Sequence, residues 1–541
     1  MKKAICIILI IGMLLSVVYP VAGAEAVKYV NMPIVTIRGD ANPIYSADSK
    51  TKLTPVEITK EQVMDIAKDI YPTLLKGLVF NNWDDYVDAL SNGINSVYEP
   101  CHLDDNGEAS DGSGIHKDKK KENEKAMRSN YKKKDGSYDL DSYIFWYDWR
   151  KDPFEVAAEF DEYITGVIQA TGKKWVSVRA RCLGGSFLLT YLATYGYSKI
   201  YNIALDSTVA NGSEKFSDFV CGNIVLDFEA FEREQTDDIY YDSDADTYRF
   251  SDFDTLLNEI VVALIDMCNE NGMAKISEKT FQNIFVKLKD KLIPRLVMAT
   301  YGTFPGYWTT VFKDDYQTAR NYIFGTQEMQ EKYAGLLEKL DHYDREVRQK
   351  IPEILNEAKE HDSYVGIVVK YGYQLLPFIE SCNEQSDGLV STQISSFGAT
   401  VAPIGQTLSK SYIRSRNALN LQRYISPDNI IDASTSLFPD STWYIKGVHH
   451  NSWPDCMKDL FVKICTRYGR LTIYEEEAYP QFMVFDKETY TLKPMTTENC
   501  NTENFNTQEI AQHGLKQNFQ AFRNLFKKLF ELLKQLIFKK L

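Results

Sequence analysis

The chain has 541 residues, 44% of them hydrophobic and 25% charged, with a net charge of −14. This is globular composition with ample chain for a buried core, and it excludes disordered, collagen-like and purely coiled-coil proteins. The acidic balance excludes nucleic acid as the main partner, because phosphate contacts need basic surface.

In chain order, residues 1–24 predict a secretory signal peptide. Lys2 and Lys3 precede the short apolar run Ile5–Val18, and Ala22-Gly23-Ala24 supplies a small-residue cleavage site. The run is short for a membrane span, so the mature protein is expected outside the cytoplasm. The cysteines beyond Cys6 are widely spaced with no CxxC pair, which gives no zinc knuckle and leaves most of them as small buried apolar residues. Residues 25–100 mix a strand signal with a helix, and 101–138 read as a polar surface loop. From 140 to 206 apolar strands alternate with helices, so residues 25–206 predict the first part of an α/β core with a mostly parallel sheet. Residues 207–360 turn helical, with apolar three-four spacing over Phe253–Glu270, Ile276–Leu292 and Gln327–Lys359. They read as a cap inserted between two strands. Strand signals return at Tyr364–Lys370 and Thr442–Val448 within a second core part, 361–492. A polar linker, 493–512, leads to a basic amphipathic helix, 513–541.

The sharpest motif lies between an apolar strand ending at Ala180 and a helix beginning near Gly184. Ala180-Arg181-Cys182-Leu183-Gly184-Gly185 has the shape of a nucleophile elbow, G-x-S-x-G, with alanine for the first glycine and cysteine for the serine. Small residues are needed there because strand and helix approach closely. The helix N-terminus and Arg181 both favour a thiolate at Cys182.

Further segments resemble the lecithin–cholesterol acyltransferase-like branch of the α/β-hydrolases, as scattered motifs over residues 30–470. Pro33–Pro43 resembles the first core strand and oxyanion loop. Tyr143–Arg150 ends in that family's Y-D-W-R. Ile203–Ser213 is similar to its G-T-P-x-x-G-S stretch. Ser386-Asp387-Gly388-Leu389-Val390 with Ser395–Ala399 resembles the segment carrying the acid, and His449-His450 follow a strand where the histidine belongs. The resemblance implies an α/β-hydrolase fold and a triad in the order Cys182, Asp387, His450. It places the oxyanion hole at the Leu183 amide and the Gly39–Ala41 loop, with Asp40 as its second donor. His449 stands as the alternative base, and Asp432 and Asp206 as alternative acids. Arg181 replaces the family's histidine, and Arg38 stands where His or Pro precedes the loop glycine.

The function implied is an exported lipase- or esterase-like hydrolase acting on acyl esters through a thioester, with no metal or organic cofactor. An acyltransferase and a non-catalytic envelope-binding protein are the rival readings. In the last helix Leu515, Phe519, Phe522, Phe526, Leu529, Leu533 and Leu536 form one seam, with seven basic residues against Glu531 alone. That pattern fits a helix lying on an anionic membrane or envelope surface, self-association, or folding back on the acidic domain.

Overall fold

The computed structural model describes residues 29–40, 42–54, 56–125, 131–225, 239–242, 247–250, 260, 278–376 and 379–500. The predicted signal peptide, the terminal helix and all of Phe253–Glu270 except Ile260 lie outside these residues.

An α/β architecture is built on an eight-stranded sheet. Its strands are β1 (Ile34–Ile37), β2 (Tyr143–Phe145), β3 (Val176–Arg181), β4 (Ile200–Asp206), β5 (Tyr364–Tyr371), β6 (Thr442–Lys446), β7 (Phe482–Asp486) and β8 (Thr491–Pro494). Their spatial order is β8-β7-β6-β5-β4-β3-β1-β2. All neighbours pair in parallel except β7 and β8, which form an antiparallel hairpin at the edge. Parallel neighbours need crossover helices. α1 (Pro153–Thr171) joins β2 to β3, α2 (Gly184–Tyr195) joins β3 to β4, and α5 (Lys458–Thr466) joins β6 to β7. The start of α1 is set by Asp152, whose side chain accepts from the Phe154 amide, and by Pro153 in the first turn.

Strand alternation sends successive side chains to opposite faces. Val178, Ala180, Ile203, Leu205, Ile367 and Val369 join α1 and α2 in the larger apolar core. Ala204, Val368, Trp443 and Ile445 pack with Leu460, Phe461 and Ile464 of α5 on the other face.

Between β4 and β5 the chain leaves the sheet and passes through several helices, among them α3 (Glu214–Cys221) and α4 (Glu278–Met298). This stretch is not purely helical. Ile239–Asp242 and Thr247–Phe250 form a hairpin whose second strand pairs with Val56–Thr59. Both are rich in β-branched and aromatic residues, which favour a strand over a helix. The predicted helix Gln327–Lys359 is broken into Gln327–Lys332, Ala334–Glu346 and Ile351–Glu357. Pro352 falls in the first turn of the last piece, where its missing amide costs no helical hydrogen bond. The predicted surface loop 101–138 holds a short helix, Lys117–Lys125, and buries Cys101, Leu103 and Ile115. No helix among the described residues is long and apolar enough to cross a membrane.

Candidate active site

Cys182 stands between the end of β3 and the start of α2 with φ of 48°. For a non-glycine residue this left-handed conformation costs about 1 kcal/mol or more, so the surroundings must enforce it. They do so through the Cys182 main chain. Its amide donates to the Asp206 carbonyl at 3.3 Å, and its carbonyl accepts from Gly185 N at 3.1 Å, Val209 N at 3.3 Å and Thr208 Oγ1 at 3.1 Å. Gly39, just past β1, closes over the turn. A Cβ at Gly39 would lie 2.8 Å from Cys182 Cβ and 3.1 Å from its sulfur. The Leu183 amide, 3.3 Å from the same point, opens the first turn of α2, where an amide has no intrahelical acceptor.

The structure brings Asp387 and His450 to this turn. His450 Nδ1 lies 2.7 Å from Asp387 Oδ2, and the His450 amide donates to the Asp387 carbonyl at 2.7 Å. The other carboxylate oxygen accepts from Leu389 N at 3.1 Å and Val390 N at 2.9 Å. The Cys182 side chain is close enough to the His450 ring to act on its charge. Burial pushes the imidazolium down, but the Asp387 carboxylate and then the Cys182 sulfur outweigh it and carry His450 up to about 10. Burial likewise pushes Asp387 up, yet His450, Lys370 and the Val390 amide hold it below its ordinary range.

The alternative residues go elsewhere. Asp432 accepts from Arg416 Nε at 2.5 Å, Tyr412 Oη at 2.8 Å and Ser434 N at 2.9 Å, with no contact to either histidine. His449 packs its ring edge-on to Tyr373, 5.1 Å between centroids, above Gly388. Gly388 has φ of 99°, and a Cβ there would lie 2.2 Å from His449 Nε2. Asp206 lies behind the elbow but is held by Arg179, whose Nε donates to it at 2.9 Å.

Three side chains at the site were not singled out by sequence. Lys370, fully buried on β5, donates to the carbonyls of His450 and Ser452, each at 3.0 Å. Trp453 lies against it, with Lys370 Nζ 3.3 Å and Arg181 Cζ 3.2 Å from the indole centroid. Burial, reinforced by Arg181 and Arg179 and opposed by Asp206 and Asp387, pulls Lys370 down to about 7. Arg179, the third, completes this group beneath the histidine loop, 4.2 Å from the Phe461 ring. The available signal was a lysine inside the apolar run Tyr364–Tyr371. Among the described residues no cluster of three or more His, Cys, Asp or Glu is gathered to hold a metal.

No protein-family model matches the chain, and no curated protein does. A solved structure, "The crystal structure of Tle4-Tli4 complex", is similar at low level, at 9% identity and a TM-score of 0.23, covering 63% of this chain and 75% of that one.

Proposed function

We propose that the protein is an α/β-hydrolase-type enzyme that cleaves acyl esters through a thioester on Cys182. The observation that supports this most is the buried Asp387–His450 pair acting on Cys182, a cysteine held in a left-handed turn. In the proposed reaction His450 takes the Cys182 proton as general base, and the sulfur attacks as the anion. The sulfur attacks the ester carbonyl carbon, a C–S bond forms, and the carbonyl electrons move to oxygen. That oxyanion faces the amides of Leu183 and Asp40. Its collapse breaks the C–O bond, and the departing alkoxide takes the proton from His450. Water then gives a proton to the neutral His450 and attacks the thioester, which releases the acid and restores the thiolate and imidazolium. Asp387 keeps the imidazole oriented and offsets its charge throughout.

The test is a panel of p-nitrophenyl esters followed by intact-mass analysis during turnover. Wild type is expected to show an acyl adduct on Cys182, and Cys182→Ala neither adduct nor hydrolysis. A protein that binds such esters without any adduct overturns the reading in favour of a non-catalytic binder. The signal peptide and basic tail extend the proposal to an exported enzyme held at an anionic lipid surface, at up to about 1 kcal/mol per basic residue. Deleting residues 513–541 is expected to abolish sedimentation with phosphatidylglycerol vesicles at low salt and leave ester turnover in solution unchanged. Equal sedimentation of both forms overturns the membrane role.

A further inference from the structure

Arg38 and Arg181 are neighbours across β1 and β3. The register pairs Ile37 with Ala180, so the next residue on each strand is an arginine. Both follow the face of the sheet that carries Arg179 and Lys370. This is also the point where the strand order reverses: β1 connects to β2 on one side, and β3 to β4 on the other. Such a reversal opens a crevice at the carboxyl ends of the strands, where open α/β sheets take their ligands. Here the crevice lies beside Cys182.

Two tryptophans flank the arginines. The Arg38 guanidinium lies 5.4 Å from the Trp146 ring centroid, at the end of β2, and Arg181 lies 3.2 Å from that of Trp453. Lys119 Nζ also lies 4.3 Å from the Trp146 ring centroid. Glu122 pairs with Lys119 at 2.9 Å, which leaves Arg38 and Arg181 as the cations of the crevice. Asp141 meets Arg38 at 3.2 Å. Among the described residues the one ion-pair partner of Arg181 is Asp206 Oδ2 at 4.0 Å, the same oxygen that Arg179 already occupies. The Nε groups of Arg38 and Arg181 are both buried without an acceptor. Orphaned donors on like-charged neighbours are costly, and a bound oxyanion offsets that cost. The Nε atoms themselves are closed to solvent, but the side chains keep 28% and 15% of their exposure.

We propose that Arg38 and Arg181 form an oxyanion subsite beside the nucleophile, which selects acyl esters bearing a phosphoryl group. Planar forked donors match phosphate oxygens in pairs, and the flanking indoles hold the guanidinium planes in place. This names the substrate class of the proposed hydrolase, but anion binding itself does not depend on catalysis.

The experiment measures protection of Cys182 from iodoacetamide, with inorganic phosphate and with glycerol phosphate as probes, at ionic strength matched with chloride. Both probes are expected to slow alkylation saturably in wild type. The double variant Arg38→Gln, Arg181→Gln is expected to bind at least about tenfold more weakly. Arg345→Gln, on a distant exposed helix, binds as wild type does, and Arg38→Lys, Arg181→Lys restores part of the loss. Protection by inorganic phosphate alone assigns the subsite to the free ion, and protection by both assigns it to a phosphate ester; either sustains it. In the kinetic arm, the double variant raises KM for a phosphoryl-bearing ester by a larger factor than KM for a matched neutral ester, so selectivity between the two falls. Phosphate protection without any ester turnover sinks the hydrolase reading and keeps the subsite. Unprotected alkylation in wild type, or protection equal in wild type and the double glutamine variant with its fold verified by thermal melting, overturns the subsite.

Discussion

The two faces of the central sheet are built on different chemistry. The face under α1 and α2 is aliphatic: Val178, Ala180, Ile203, Leu205, Ile367 and Val369 meet apolar helix residues. The face under α5 starts apolar at its centre, with Ala204, Val368 and Phe461, and becomes charged toward the carboxyl ends of the strands. Arg179, Asp206 and Lys370 are all buried there. A sheet stabilised only by apolar burial would not place three ionisable groups in its interior, because each loses hydration. The charged end coincides with the loop that carries His450, so the first face holds the fold and the second holds the site.

The largest expected effect tests whether the charged face serves chemistry. His450→Ala is expected to lower kcat/KM by about a thousandfold or more, and Asp387→Asn to cost more than Asp432→Asn. His449→Ala, whose ring meets Tyr373 rather than the acid, is expected to change kcat/KM less than about tenfold. Steady-state kinetics on one ester decides this. If His449 is the sensitive position, the charged face is not organised around the Asp387–His450 pair.

Stability separates the faces next. Asp206→Asn leaves Arg179 buried without its partner carboxylate, and breaking such a pair is expected to cost about 3 to 5 kcal/mol in chemical denaturation. On the opposite face Ile367→Val removes one methylene, at about 0.5 to 1.5 kcal/mol. Equal costs would erase the contrast.

A third measurement sharpens the comparison through pH. Lys370 is pulled down to about 7, so between pH 7 and its ordinary value the unfolded chain binds the extra proton and stability rises with pH. His450 is raised to about 10, so its contribution is present below its ordinary value and is lost as pH rises toward 10. The two slopes oppose each other between pH 7 and 10. Lys370→Met removes the rising one, and its thermal stability is expected to fall more steeply over that window than wild type does, by up to about 1.4 kcal/mol per pH unit. Parallel melting curves for the two proteins would show that Lys370 does not titrate there.

Much of the site could be read from residues close in sequence. The elbow needed only the apolar run ending at Ala180, the cysteine and the small residues after it. His450 needed the family resemblance as well as the strand before it, and the adjacent His449 stayed open as the alternative base. What depends on register between distant segments could not be read. Arg38 and Arg181 are 143 positions apart and become neighbours only through the pairing of β1 with β3. Lys370 in a buried strand was visible as an anomaly, but its acceptors are carbonyls of the histidine loop. The hairpin of β7 and β8 was not anticipated, because Phe482–Asp486 is short and Thr491–Pro494 is mostly exposed and carries no apolar alternation. It is stabilised by the neighbouring strands rather than by its own pattern.

The indole of Trp453 is shared by Arg181 and Lys370, which come from different strands, while the tryptophan belongs to the histidine loop itself. Removing any one of the three strips a neighbour of its contact, so the positions are energetically non-additive. Sequence drift through this region therefore has to pass by joint replacement. A descendant that loses Trp453 is expected to have exchanged Lys370 for an uncharged residue in the same lineage, and the three positions vary together while the aliphatic face beneath drifts one residue at a time.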